Sequence, residues 1–181
     1  MIQPEQIEQF LTENKVGLVM RTFATRPDDV LKRVGMINEV VKRTRDLELA
    51  SRQVFSLIDV LVWKDGRFVN SDCGQTAEAL READPLLNVS EVNGDLFCAL
   101  MNTGFATQLS HGINYSMTIS PEVYSYATAE TIFDMLLAAE RGALAVGVAI
   151  DELTLSILRG RIANTFSMWH NLSLMSVGGF D

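Results

Sequence analysis

Long, nearly unbroken apolar runs limit what this chain can fold into more than any other feature. VGLVMRTF, from Val16 to Phe23, and VFSLIDVLVW, from Val54 to Trp63, are both of strand length. A strand wetted on one face alternates apolar and polar residues, so runs like these read as strands covered on both faces, as in parallel sheets. Between them, Pro27 followed by Asp28 and Asp29 marks a helix start, with proline at the first position and acids against the positive end of the dipole. Val30, Val34, Ile37 and Val41 then recur at helical spacing.

The rest of the chain continues the alternation. MIQPEQIEQF reads as a short amphipathic helix carrying Ile7 and Phe10, extended by Leu11. Asp72 with Gln75 forms a capping box that opens a helix through Leu80. LFCALM (Leu96 to Met101) reads as a third strand, Thr103 to Ile113 as a short helix and YSMTIS (Tyr115 to Ser120) as a fourth strand. Thr128 caps a helix through Glu140, and ALAVGVAI (Ala143 to Ile150) reads as a fifth strand. The fold class expected is α/β, a mostly parallel sheet flanked by helices. Ligands of such sheets sit at the carboxyl ends of the strands. Arg21, Thr22, Asp65, Asn102, Ser120 and Glu122 fall there.

With 181 residues, the chain reads as one domain spanning 1–181. Its 48% hydrophobic and 21% charged residues are an ordinary globular balance. The net charge of −8 argues against a nucleic-acid partner, which needs a basic surface, but leaves room for a nucleotide. Cys73 and Cys98 form no CxxC pair and read as reduced thiols of a cytoplasmic protein. The first residues lack a signal-peptide pattern, and the apolar window Met135 to Ile150 is broken by Glu140 and Arg141, so no membrane span is expected.

Single motifs leave alternatives open. Asp65-Gly66 is either a binding carboxylate at a strand end or a tight turn. Asn102-Thr103-Gly104 either presents backbone N–H groups to a phosphate at a helix start or is a plain cap. His111 and His170 have no carboxylate or thiol at zinc-ligand spacing, and neither a GxSxG elbow nor a P-loop occurs. In NTFSMWHNLSLMSVGGFD, Trp169 with a Gly178-Gly179 hinge forms either the wall of a ligand cleft or a glycine-ended surface helix with a frayed tail.

Taken together, the motifs resemble those of the family-2-type glycosyltransferases, which have the A-type (nucleotide-diphospho-sugar transferase-like) fold. VGLVMRTFATRP resembles the opening strand and its turn, with Thr22, Phe23 and Pro27 kept. IDVLVWKDG resembles the second strand and its Asp-Asp-Gly-Ser ending, with Asp65 and Gly66 kept and Lys64 replacing the first aspartate. NTGFATQLSHGI matches a pattern like N-x-G-x-A-x-A-x-N-x-G-I at Asn102, Gly104, Ala106, Gly112 and Ile113, with Gln108 and Ser110 differing. The final segment resembles an acceptor-side strand and helix ending in V-G-G-F-D.

The resemblance implies a nucleotide-sugar donor, a hydroxyl acceptor and transfer with inversion. It places Thr22, Phe23 and Asp65 at the nucleoside, Asn102 and Gly104 around the pocket, Glu122 at the diphosphate, and Trp169, Gly178 and Gly179 on the acceptor side. Where the family has an Asp-x-Asp motif holding a divalent cation, this chain has Ser120-Pro121-Glu122. Glu122 is thus the one strong ligand offered to Mn²⁺ or Mg²⁺, and Arg21 and Lys64 are expected to offset the diphosphate charge instead. The family's catalytic acid lies downstream of V-G-G-F-D, which leaves Asp181 as the nearby candidate base and a second copy of the chain as a candidate to complete the site. The alternative is a transferase-like domain without chemistry, acting as a nucleotide-binding or interaction module.

Overall fold

The computed structural model of the chain describes residues 4–24, 27–49, 51–64, 73–95, 97–147 and 166–180. Helix α1 (Pro4–Glu13) leads into strand β1 (Val16–Thr22), followed by α2 (Pro27–Thr44) and a small hairpin of β2 (Glu48–Leu49) and β3 (Arg52–Gln53). Then come β4 (Phe55–Lys64), α3 (Cys73–Ala83), β5 (Asn88–Asn93), α4 (Cys98–Ser110) and β6 (Tyr115–Ile119). A 3-10 segment, Pro121–Tyr126, precedes α5 (Ala129–Glu140), β7 (Ala145–Gly147), β8 (Phe166–His170) and α6 (Asn171–Ser176).

The main sheet has the order β5-β4-β1-β6-β8-β7. β1 pairs parallel with β4 and β6, and β4 parallel with β5. β8 runs antiparallel to both of its neighbours. From β1 the chain builds outward to β4 and β5, then returns to place β6 on the other side of β1. The β1/β6 boundary is therefore a topological switch point, where the carboxyl ends of the strands leave a crevice.

Helices cover both faces of this sheet. Val16, Leu18 and Met20 of β1 join the larger core with Ile7 and Phe10 of α1, Val34 and Ile37 of α2, Leu80 of α3 and Leu136 of α5. On the opposite face, Val19, Leu61 and Trp63 pack with Leu100 of α4, and Met101 and Phe105 pack with Leu174 of α6. Gly104 lets α4 approach closely: a Cβ there would lie 2.7 Å from both Leu61 Cδ1 and Val19 Cγ1. Thr128 accepts a hydrogen bond from the Thr131 N–H and caps α5 as its sequence suggests. Among the described residues no helix is long and apolar enough to cross a membrane.

Two elements differ from the sequence reading. LFCALM is not a strand: Cys98–Met101 is the first turn of α4, which runs to Ser110. α4 buries one face, Leu100, Met101, Gly104, Phe105 and Gln108, but Cys98 and Ala99 on its less buried side are apolar too, so its first turn shows no polar side and imitates a buried strand. The third parallel strand is instead β5, Asn88–Asn93, an edge strand in which only Val89 and Val92 are buried. Of the expected strand Ala143 to Ile150, the structure describes Ala145–Gly147 as strand, and 148–150 lie outside the described residues. Asp72, the proposed cap of α3, also lies outside them.

A carboxylate, Asp59, is buried in the middle of β4 at 1% exposure. Such a group is tolerated only when hydrogen-bonded, and here the side-chain amides of Asn88 and Gln108 both donate to it. Gln108 fits because residue 17 is glycine, since a Cβ at Gly17 would occupy the position of Gln108 Oε1. Burial raises the Asp59 pKa, an effect only partly offset by the amides and by His111.

Candidate functional site at the switch point

The crevice at the carboxyl ends of β1 and β6 encloses about 210 Å³ and is lined by Arg21, Phe23, Arg33, Ser120 and Glu122. Arg21 and Phe23 leave the end of β1, and Ser120 and Glu122 follow β6. Arg33 reaches in from the second turn of α2. Its value was hidden in the sequence, where it is one of several basic residues on an amphipathic helix.

Three of the five side chains hold one another. Arg33 donates to Glu122 Oε1, and the Ser120 hydroxyl donates to Glu122 Oε2. The Arg33 guanidinium also lies 4.8 Å from the Phe23 ring centroid, and Phe23 meets Trp63 edge-on with centroids 6.1 Å apart. Burial pushes the Glu122 pKa up. The Ser120 hydrogen bond, a backbone N–H and the Arg33 charge outweigh it and hold the carboxylate below its usual range.

Arg21 is different. Among the described residues its guanidinium makes no hydrogen bond or ion pair, and it lies 4.2 Å from the centroid of the Phe97 ring. Burial lowers its pKa, while the nearby Glu122 and Cys98 act in the opposite direction. A half-buried cation whose five N–H donors are unused, in a crevice beside a second arginine, is arranged to receive an anion.

The other sequence candidates are distributed more widely. Thr22 is 2% exposed on the opposite face of β1, outside the crevice, and its hydroxyl has no hydrogen-bond partner among the described residues. Lys64 ends β4, is exposed, and does not line the crevice. Asp65 and Asp181 lie outside the described residues. Asn102 is in the second turn of α4, so it neither caps the helix nor opens it toward a phosphate. Asp95 does the capping, accepting from the N–H groups of Phe97, Cys98 and Ala99, which lowers its pKa.

Asn102 instead grips the end of the described chain. Its amide donates to the Phe180 carbonyl at 2.9 Å and accepts from the Phe180 N–H at 2.8 Å. Gly178, at φ 100°, ends α6: its N–H bonds to the Met175 carbonyl and that of Gly179 to the Leu174 carbonyl, a Schellman turn and no hinge. Phe180 then packs edge-on against Phe97, Phe105 and Trp169. Trp169 donates its ring N–H to Ser167 and stands on β8 opposite Ser116, away from the crevice. The tail therefore meets the site through Phe97, the ring beneath Arg21.

A divalent cation fits this donor set poorly. Among the described residues Glu122 is the one carboxylate in the crevice, and Arg33 and Ser120 already occupy both of its oxygens. Among the described residues no group of three His, Cys, Asp or Glu side chains could hold a metal.

Solved structures of the same shape include a 4-diphosphocytidyl-2C-methyl-D-erythritol synthase, with TM-score 0.57 and 16% identity over 93% of this chain and 81% of that one. A second such synthase, from Anaerococcus prevotii, has TM-score 0.56 and 12% identity, covering 93% and 75% of the two chains. A mannosyltransferase from Pyrobaculum calidifontis, in complex with GDP-Man and Mn²⁺, has TM-score 0.57 and 13% identity, covering 98% of this chain and 54% of that one. The fold is nucleotide-diphospho-sugar transferase-like. No protein-family model matches the sequence, and no curated relative is found for it. In this transferase-like fold, the crevice occupies the carboxyl edge expected of a ligand site.

Proposed function

We propose that the chain is a cytoplasmic glycosyltransferase-like domain that binds a nucleotide-sugar by its diphosphate in the switch-point crevice. The observation that carries this reading is Arg21, a half-buried guanidinium without a polar partner among the described residues, facing a crevice beside Arg33. The enclosed volume of about 210 Å³ is below the ~300 Å³ at which small-molecule pockets usually begin. It suits the phosphates, with nucleoside and sugar extending along the sheet edge.

The motif likeness to family-2-type glycosyltransferases favours sugar transfer with inversion. The acceptor oxygen would attack the anomeric carbon, and the bond from that carbon to the diphosphate would break. The nucleoside diphosphate would leave with the electron pair, its charge met by Arg21 and Arg33. A carboxylate must take the acceptor proton, and Asp181, directly after the clamped Phe180, is the candidate. Metal assistance in the manner of the mannosyltransferase's Mn²⁺ is not part of this reading, because Arg33 and Ser120 already engage the Glu122 carboxylate.

A second reading is nucleotidyl transfer, favoured by the similarity in shape to the 4-diphosphocytidyl-2C-methyl-D-erythritol synthases. Loss of chemistry with retained nucleotide binding is the third. One experiment separates them. The protein is incubated with UDP-, GDP- and dTDP-sugars, and separately with CTP and a sugar-alcohol phosphate. Release of nucleoside diphosphate supports sugar transfer, and release of pyrophosphate overturns it in favour of nucleotidyl transfer. Saturable binding with neither product points to the inactive module.

A further inference from the structure

Glu122 occupies the place an anionic ligand would take. Its two carboxylate oxygens receive the Ser120 hydroxyl and the Arg33 guanidinium, and its charge lies close enough to Arg21 to act on that side chain's ionisation. A phosphate oxygen entering the crevice would seek the same donors, since hydroxyl and guanidinium hydrogen bonds suit carboxylate and phosphate alike. Both cannot be served at once by one serine proton and one arginine edge.

We infer that Glu122 is a resident competitor for the anion site: it neutralises Arg33 in the empty crevice and must leave when a phosphate enters. An isolated surface ion pair between helix and loop would mean little. This one joins α2 to the 3-10 segment after β6 inside the crevice, beside Arg21, which has no ion pair among the described residues. The competitor sets a threshold for ligands. A singly charged anion gains little by displacing a carboxylate of equal charge, whereas a pyrophosphate unit brings enough charge for both arginines. The inference rests on the anion-binding reading of the crevice. It gives Glu122 the opposite sign from a metal-ligand role, in which removing the carboxylate weakens binding.

The test is calorimetric titration of inorganic pyrophosphate, UDP, GDP and CDP into the wild type, Glu122→Gln, Glu122→Ala and Arg33→Gln, each with EDTA and again with Mn²⁺. Both Glu122 variants are expected to bind pyrophosphate at least tenfold more tightly than the wild type in EDTA, and Arg33→Gln at least tenfold more weakly. Equal or weaker binding by both Glu122 variants overturns the inference, as does wild-type binding that needs Mn²⁺ and disappears with Glu122. Tighter pyrophosphate binding without binding of any nucleotide sustains the competitor and removes the nucleotide-sugar reading. Nucleotide binding by the wild type that the Glu122 variants match or lose removes the competitor and leaves that reading standing. If no protein binds any anion, both fall.

Discussion

Asn102 holds Phe180 by both of its backbone groups, donating to the carbonyl at 2.9 Å and accepting from the N–H at 2.8 Å. One side-chain amide thus satisfies both backbone groups of a residue 78 positions away. Asn102→Ala leaves both groups without these partners, and unmet partly buried polar groups cost about 1–3 kcal/mol. Urea denaturation should show a loss of that order. Gly179→Ala should act at the same place, because its Cβ would lie 2.4 Å from Asn102 Oδ1 at φ 81°. The double variant should therefore lose less than the two single losses combined.

Arg21 separates stability from binding. Replacing it with Met keeps an apolar stem against Phe97 while removing a cation that has no hydrogen-bond or ion-pair partner among the described residues. The Tm of Arg21→Met should equal or exceed that of the wild type. Its affinity for pyrophosphate or a nucleoside diphosphate should fall at least tenfold, since a charge-assisted hydrogen bond contributes about 1.5–3 kcal/mol. A lower Tm with unchanged affinity would make Arg21 a structural residue.

Asp59 makes stability depend on pH in the sense opposite to a salt-bridged carboxylate. Its folded pKa is raised by burial, so the folded state holds the proton more firmly than the unfolded chain, where the value is about 3.9. Its contribution is present below the unfolded pKa and lost as pH rises through the folded one. Asp59→Asn, neutral throughout, should gain stability relative to the wild type as pH goes from 4 to 7. Reorienting the amides would also give Gln108 Oε1, buried and unpartnered now, a donor. Urea midpoints of the two proteins across that range decide it.

Gly104 tests the packing of α4. In Gly104→Ala the new methyl meets Val19 and Leu61 at 2.7 Å, and overpacking of this kind costs about 1–3 kcal/mol. Because α4 carries Cys98 and Phe97 precedes it, the Arg21 environment should shift as well. The change should appear as a lower urea midpoint together with weaker pyrophosphate binding.

The sequence made β1, β4 and the start of α2 plain because burial on both faces and a Pro-Asp-Asp opening leave local traces. It misled at α4 and β5 for complementary reasons. The first turn of α4 is apolar on its less buried side as well, which masks its stripe, and an edge strand with two buried valines has little apolar signal to show. Arg21, Ser120 and Glu122 could be placed at one edge because strand ends are countable, whereas Phe23 entered only through the family resemblance. Arg33 could not be placed, since its part depends on which way a turn of α2 faces the 3-10 segment. Asp59 is hidden inside an apolar run: its partner Asn88 stands on β5, a strand with little sequence signal, and the helical reading of Thr103–Ile113 does not tell which way Gln108 faces.

The position of β1 between β4 and β6 bears on how the chain is made. The Lys15 N–H bonds to the Asn114 side chain 99 residues further on, and the strand that follows stays open on that side until β6 arrives. At about 5–20 residues per second of synthesis, VGLVMRT waits several seconds as a bare apolar edge. Nascent chains halted before Ile119 should therefore need a chaperone, and those halted after it should need one far less.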